Sequence, residues 1–164
     1  MRIDYLAHHR HLIPEVTDLV YGQWSELFQA GGTSRGRLGE LFVERAVTDR
    51  LPLALVALAG DVLAGTGSIK LSEPGTKAGL SPWLAGMIVK DAFRGSGVGT
   101  MLVTSLESNA VKLGVETLYL SVGAASKFYQ RLGWTALERM NSYGVKDVTL
   151  MAKDLRACAC LPTD

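Results

Sequence analysis

Disulfide chemistry is nearly missing from this chain. Its 164 residues include two cysteines, Cys158 and Cys160, separated by a single residue. Such neighbours cannot staple distant segments, so the sequence reads as a protein of a reducing cytoplasm with these two in an exposed tail. No apolar run approaches the ~20 residues of a membrane-spanning helix. Residues 1–5 lack the hydrophobic segment of a secretion signal. An excess of charge is missing too: 17 Lys and Arg face 16 Asp and Glu, a net charge of +1. That balance argues against a nucleic-acid surface, yet leaves room for a small polyanion held by a local cluster. Metal ligands are equally sparse. His8, His9 and His11 cluster without an acidic or cysteine partner at ligand spacing, so a surface loop is expected and no metal.

Glycine is the exception, at 18 residues, several of them inside or beside apolar runs. They indicate tight turns and close backbone approaches rather than a flexible linker. A short strand is expected over 3–7. Pro14 suits the first turn of a helix, and Val16, Leu19, Val20, Gln23, Trp24, Leu27 and Phe28 then keep helical spacing up to Gly31. Thr33 or Ser34 can cap a second helix with Leu38, Leu41, Phe42 and Ala46 on its apolar face. Residues 53–59 are apolar throughout and read as a strand. Gly60-Asp61 is a hairpin signal, and 62–71 returns antiparallel with Ala64, Gly65 and Gly67 as small residues. A loop over 72–77 leads to an apolar strand over 83–89, of the kind covered on both faces.

A glycine-rich turn follows, Arg94-Gly95-Ser96-Gly97-Val98-Gly99, and then one helical face: Val98, Met101, Leu102, Ser105, Leu106, Asn109, Ala110 and Leu113. Gly114 sits where that helix should stop. Residues 117–122 form a strand expected to run parallel to 83–89, because a helical crossover is the usual parallel connection. A short helix over 124–132 and strands over 134–140 and 145–153 complete the pattern. The fold class is α/β, a mixed sheet with helices on both faces. One domain is expected over 1–164, with about 156–164 as a tail.

A strand, a glycine turn and a helix together aim backbone N–H groups and a helix dipole at one point, which suits a phosphate. Three known loops compete for the pattern. A nucleotide P-loop needs lysine after its last glycine, but Gly99 is followed by Thr100 and Met101. A G-x-G-x-x-G dinucleotide loop counted from Gly95 meets Thr100 where its third glycine belongs. The third pattern, Arg/Gln-x-x-Gly-x-Gly/Ala, fits Arg94, Gly97 and Gly99.

With that loop, the sequence resembles the GNAT superfamily of acetyl-CoA-dependent N-acetyltransferases. About 30 residues on, Lys127-Phe128-Tyr129-Gln130-Arg131-Leu132-Gly133-Trp134 looks like the family's FYxxLGF segment, with Trp134 in place of the usual phenylalanine. The resemblance implies a GNAT-like acyl-CoA N-acyltransferase fold, a central, mostly antiparallel sheet with a parallel splayed pair. It implies acetyl-CoA as cosubstrate and no metal. Arg94, Gly95, Ser96, Gly97, Val98, Gly99 and Thr100 would receive the pyrophosphate. Met87, Ile88 and Val89 would flank the pantetheine, and a backbone N–H of that strand would polarise the thioester carbonyl. Ser126, Lys127, Phe128 and Tyr129 complete the implied cofactor contacts. Tyr129 takes the catalytic role, its phenol giving a proton to the leaving thiolate; the plain alternative is a packed aromatic.

The family's asparagine ahead of the Phe-Tyr pair is missing, and Ser121 or Ser126 could replace its hydrogen bond. A general base is not assigned: strand 83–89 has no carboxylate, and Glu26, Glu40, Glu44, Glu73 or water chains remain open. The implied activity is transfer of an acetyl group to a primary amine of a small molecule, by direct attack in a ternary complex. A protein N-terminus or lysine is the alternative acceptor, and a noncatalytic acyl-CoA-binding sensor the alternative class. Specificity would lie in the first two helices and the Tyr143 loop, with Tyr21, Trp24, Phe28 and Tyr143 as pocket candidates. No nucleic-acid or membrane partner is expected, and a homodimer is compatible with the pattern.

Overall fold

Alternation along one strand explains why the sheet is covered on both sides. In β2 (Leu53–Ala59), Leu53, Leu55 and Ala57 enter one core while Ala54, Val56 and Leu58 enter another. An uninterrupted apolar run is what such double coverage requires. The computed structural model describes residues 1–73, 75–76, 79–142 and 145–157, so the Tyr143 loop and both cysteines lie outside the described residues.

The elements run β1 (Arg2–Tyr5), a 3₁₀ turn (Leu6–Leu12), α1 (Ile13–Gln23), α2 (Ser25–Ala30), α3 (Arg35–Arg45) and then β2. After it come β3 (Val62–Lys70), β4 (Trp83–Val89), α4 (Val98–Lys112), β5 (Thr117–Val122), α5 (Ser126–Arg131), β6 (Thr135–Ser142) and β7 (Val145–Asp154). Seven strands form one sheet in the order β1-β2-β3-β4-β5-β7-β6, antiparallel except for the β4–β5 pair. On one face α4 contributes Val98, Leu102, Val103, Leu106 and Ala110 to a core that includes Leu84, Leu118, Leu120 and Tyr129. On the other, Val16 and Val20 of α1 and Leu38 and Phe42 of α3 pack against the opposite side of β2 and β3.

The small residues of β3 are explained by close approach. A Cβ on Gly65 would lie 2.6 Å from the Ile88 carbonyl oxygen and 3.3 Å from Leu102 Cδ1, and one on Gly67 would collide with Met87 Sδ. Gly65→Ala is therefore expected to lower stability by about 1–3 kcal/mol, read as a shifted urea midpoint at unchanged m-value, because a backbone neighbour must move.

Two local expectations need correction, and the choice between two cap residues is decided. The first predicted helix is two: the backbone leaves helical geometry at Trp24 (φ −126°, ψ 33°). In a straight helix Tyr21 and Phe28 would be about 10 Å apart along the axis. Across the break their rings stack at 5.7 Å with 8° between planes, burying aromatic surface that one helix would have left apart. The cap of α3 is Ser34, which accepts from the Arg37 N–H at 3.1 Å, and not Thr33. The histidines do have an acidic partner. Asp4 accepts from His8 Nδ1 at 2.8 Å and His9 Nε2 at 2.9 Å, joining β1 to the 3₁₀ turn. Burial alone would raise the Asp4 pKa, but the hydrogen bonds from His9, His8 and the Tyr5 N–H outweigh it and hold the carboxyl at about 2.

Candidate active site

One strand pair opens the site. β4 and β5 meet at a single ladder position, Trp83 opposite Tyr119, where the two rings lie 5.7 Å apart. Beyond it β4 continues beside β3, while β5 continues beside β7. A slot therefore opens between their C-terminal halves. Its cause lies in β4, where Gly86 and Met87 together face the single Gly67 of β3. Gly86 adopts φ +62°, a conformation that glycine takes without strain. A bulge of this kind bends the strand and adds twist, which turns β4 away from β5.

The C-terminal end of β4 leads through a short turn (Asp91–Phe93) into the glycine loop. Gly95 and Gly97 have φ +73° and +83°, and Gly97 is the N-cap of α4. The Met101 N–H is the first of the helix to reach a backbone acceptor, the Gly97 carbonyl at 3.0 Å. Among the described residues, the N–H groups of Gly95, Ser96, Gly97, Val98, Gly99 and Thr100 have no backbone acceptor. That is a run of donors at the positive end of a four-turn helix, an arrangement suited to anions. Ser96 Oγ closes the loop on the Phe93 carbonyl at 2.6 Å. The Arg94 guanidinium braces the loop from within, bonding Asp91 at 3.0 Å and the Val89 carbonyl at 3.1 Å.

The slot and the loop share a wall. A Cβ on Gly99 would stand 3.3 Å from Phe128 Cζ and 3.9 Å from Val89 Cγ2. Three residues expected to serve one ligand, on β4, α4 and α5, thus meet at one point. Tyr129 follows on α5, with 7% of its surface exposed. Its ring stands edge-on to Phe128 at 5.0 Å and to Trp134 at 5.9 Å. Burial pushes its pKa up to about 12, the loss of water disfavouring the phenolate. The phenol is therefore neutral throughout the physiological range. Ser126 is half-buried at the start of α5 and Lys127 is exposed.

A sequence model described as the acetyltransferase (GNAT) family matches residues 14–134, well over half of the chain. The chain belongs to the GNAT acetyltransferase family. No curated protein matches it in sequence. Its fold resembles an aminoglycoside 6'-N-acetyltransferase complexed with coenzyme A (TM-score 0.72, 19% identity, covering 100% of this chain and 99% of the other). The aminoglycoside 6'-N-acetyltransferase of Enterococcus faecium is similar (TM-score 0.71, 20% identity, 100% and 99% covered). So is yncA from Salmonella typhimurium with its cofactor acetyl-CoA (TM-score 0.69, 17% identity, 94% and 93% covered). At these identities the likeness establishes the fold, a mostly antiparallel sheet with the parallel β4–β5 pair.

The other expected residues of this GNAT chain have partners elsewhere in the fold or lie at its surface. Tyr21, Trp24 and Phe28 are half-buried against the core beneath α1 and α3. Glu40 and Glu44 bond Arg37 at 2.9 and 3.5 Å, Glu73 bonds Lys70 at 3.1 Å, and Glu26 is exposed on α2. Sequence reasoning missed Glu107, which is buried on α4 among apolar residues at 6% exposure. Its spacing held the signal: it lies four residues after Val103 and three before Ala110, both buried. A charged residue on that arc of a helix needs a partner inside the fold.

Proposed function

We propose that this protein transfers the acetyl group of acetyl-CoA to a primary amine of a small molecule, by direct attack in a ternary complex. The observation that carries the reading is the row of N–H groups from Gly95 to Thr100 without backbone acceptors, set at the mouth of the β4–β5 slot. A pyrophosphate suits that row, and an extended pantetheine arm suits a slot edged by the unpaired side of β4 at Met87, Ile88 and Val89. Bound there, acetyl-CoA supplies an activated acyl carbon.

The chain's own residues then have defined tasks. A β4 backbone N–H orients and polarises the thioester carbonyl. The new bond joins the amine nitrogen to the acyl carbon, the carbon–sulfur bond breaks, and the Tyr129 phenol gives its proton to the departing sulfur. The amine's own proton leaves to water, which restores the phenol. With the Tyr129 pKa at about 12, this donor stays loaded across the working range. The profile of kcat against pH is expected to show no falling limb below about pH 11. A limb near pH 9 that vanishes in Tyr129→Phe would contradict the assigned environment.

The test is a panel of amines with acetyl-CoA and a thiol readout. Aminoglycosides belong in it because two similar folds are aminoglycoside acetyltransferases. Polyamines, arylalkylamines and peptides with a free N-terminus or lysine complete it. Release of coenzyme A with a small amine supports the reading. Turnover on peptides alone would move the acceptor to proteins. Tight acetyl-CoA binding without turnover on any amine would make this a noncatalytic acyl-CoA-binding module.

A further inference from the structure

The end of α5 is closed by a Schellman motif, with the Trp134 N–H on the Tyr129 carbonyl at 3.1 Å and the Gly133 N–H on the Gln130 carbonyl at 3.0 Å. That motif sets Trp134 against Tyr129, which accounts for their ring contact at 5.9 Å. Trp134, 3% exposed, is itself held by a polar group. Its Nε1–H donates to Glu107 Oε1 at 2.8 Å. Glu107 Oε2 accepts from Lys153 Nζ at 2.7 Å, and Lys153 donates again to the Leu132 carbonyl at 2.7 Å. One carboxylate on α4 therefore grips the indole of Trp134, and through Lys153 the carbonyl just before Gly133.

Packing alone does not call for this arrangement. A buried ion pair contributes little net stability compared with apolar residues of similar volume, but its directional bonds permit fewer arrangements than an apolar contact. Here the bonds connect α5 to the helix that begins in the glycine loop. Glu107 lies nine residues after Val98, about 14 Å along the same rigid helix. The donor row and the clamp on Tyr129 are therefore parts of one body.

We propose that Glu107, acting with Lys153 through Trp134, is a positioning residue that registers the Tyr129 phenol to the ligand held by the loop of α4. This rests on the reading of Tyr129 as the proton donor. The test is a double-mutant cycle on kcat between Glu107→Gln and Tyr129→Phe, with acetyl-CoA and one acceptor amine from the panel. Glu107→Gln keeps an oxygen for the Trp134 N–H and removes the charge that holds Lys153.

In the native background it is expected to lower kcat by about tenfold to a hundredfold, the scale of a sub-ångström to ångström misplacement, with KM for acetyl-CoA within about twofold. In the Tyr129→Phe background the same change should alter kcat by less than about twofold, because nothing is left to position. Equal losses in both backgrounds, or no loss in the native one, would overturn the clamp while leaving Tyr129 as donor. Unchanged kcat in Tyr129→Phe alone would overturn the donor reading and the clamp with it. Should Glu107→Gln fail to fold, Trp134→Phe keeps an aromatic ring at the position, deletes the N–H and is expected to give the same non-additivity.

Discussion

Tyr129→Phe should lower kcat by about one to three orders of magnitude while acetyl-CoA affinity stays within about twofold. The substitution isolates chemistry from packing. The ring keeps its edge-on contacts with Phe128 and Trp134, so the core loses no volume. Burial raises the pKa of the deleted hydroxyl, and the described residues show no hydrogen-bond partner for it. Thermal stability should accordingly be unchanged or slightly raised. Thiol release under saturating substrates, with calorimetric titration of acetyl-CoA, separates the two quantities. Unchanged kcat would return Tyr129 to the role of a core aromatic.

The second large effect is expected from Gly97→Val, with acetyl-CoA bound about tenfold to a hundredfold more weakly. Among the described residues, nothing beyond its chain neighbours lies within 4 Å of the position a Cβ would take, so packing does not demand glycine there. Conformation and approach do. At φ +83° a β-branched residue is strained, and relief would twist the first turn of α4 and misdirect its donors. A side chain that stays in place would project into the open space beside the N–H row. Titration of acetyl-CoA measures the loss, and circular dichroism confirms that α4 persists. Equal affinity would place the phosphates elsewhere.

Much of the scaffold was legible because the apolar pattern is strong where coverage is double. The runs at 53–59 and 83–89 are the observed β2 and β4, residue for residue. The glycine loop was equally plain, since Gly97 and Gly99 flank the first residue of α4. Trp24 was harder. Its helical spacing is kept across the break, which shows only in the backbone at Trp24 and in the stacking of Tyr21 on Phe28. The pairing of Asp4 with His8 and His9 depends on a 3₁₀ turn that spacing rules for α-helices do not describe. On α4 the face counted from the sequence was too narrow, because Val103 and Glu107 are buried by contacts outside that stripe.

By itself, then, the sequence determined the order of the strands, the double coverage of the sheet and the glycine-rich loop at the start of α4. These follow from local periodicity and from backbone conformations that only certain residues permit. The tertiary structure decided the rest. It set the bulge at Gly86 that parts β4 from β5, the meeting of Val89, Gly99 and Phe128, and the grip of Glu107 on Trp134. Those contacts join residues far apart in the chain. Their energies depend on burial and distance, which no window of neighbouring residues contains.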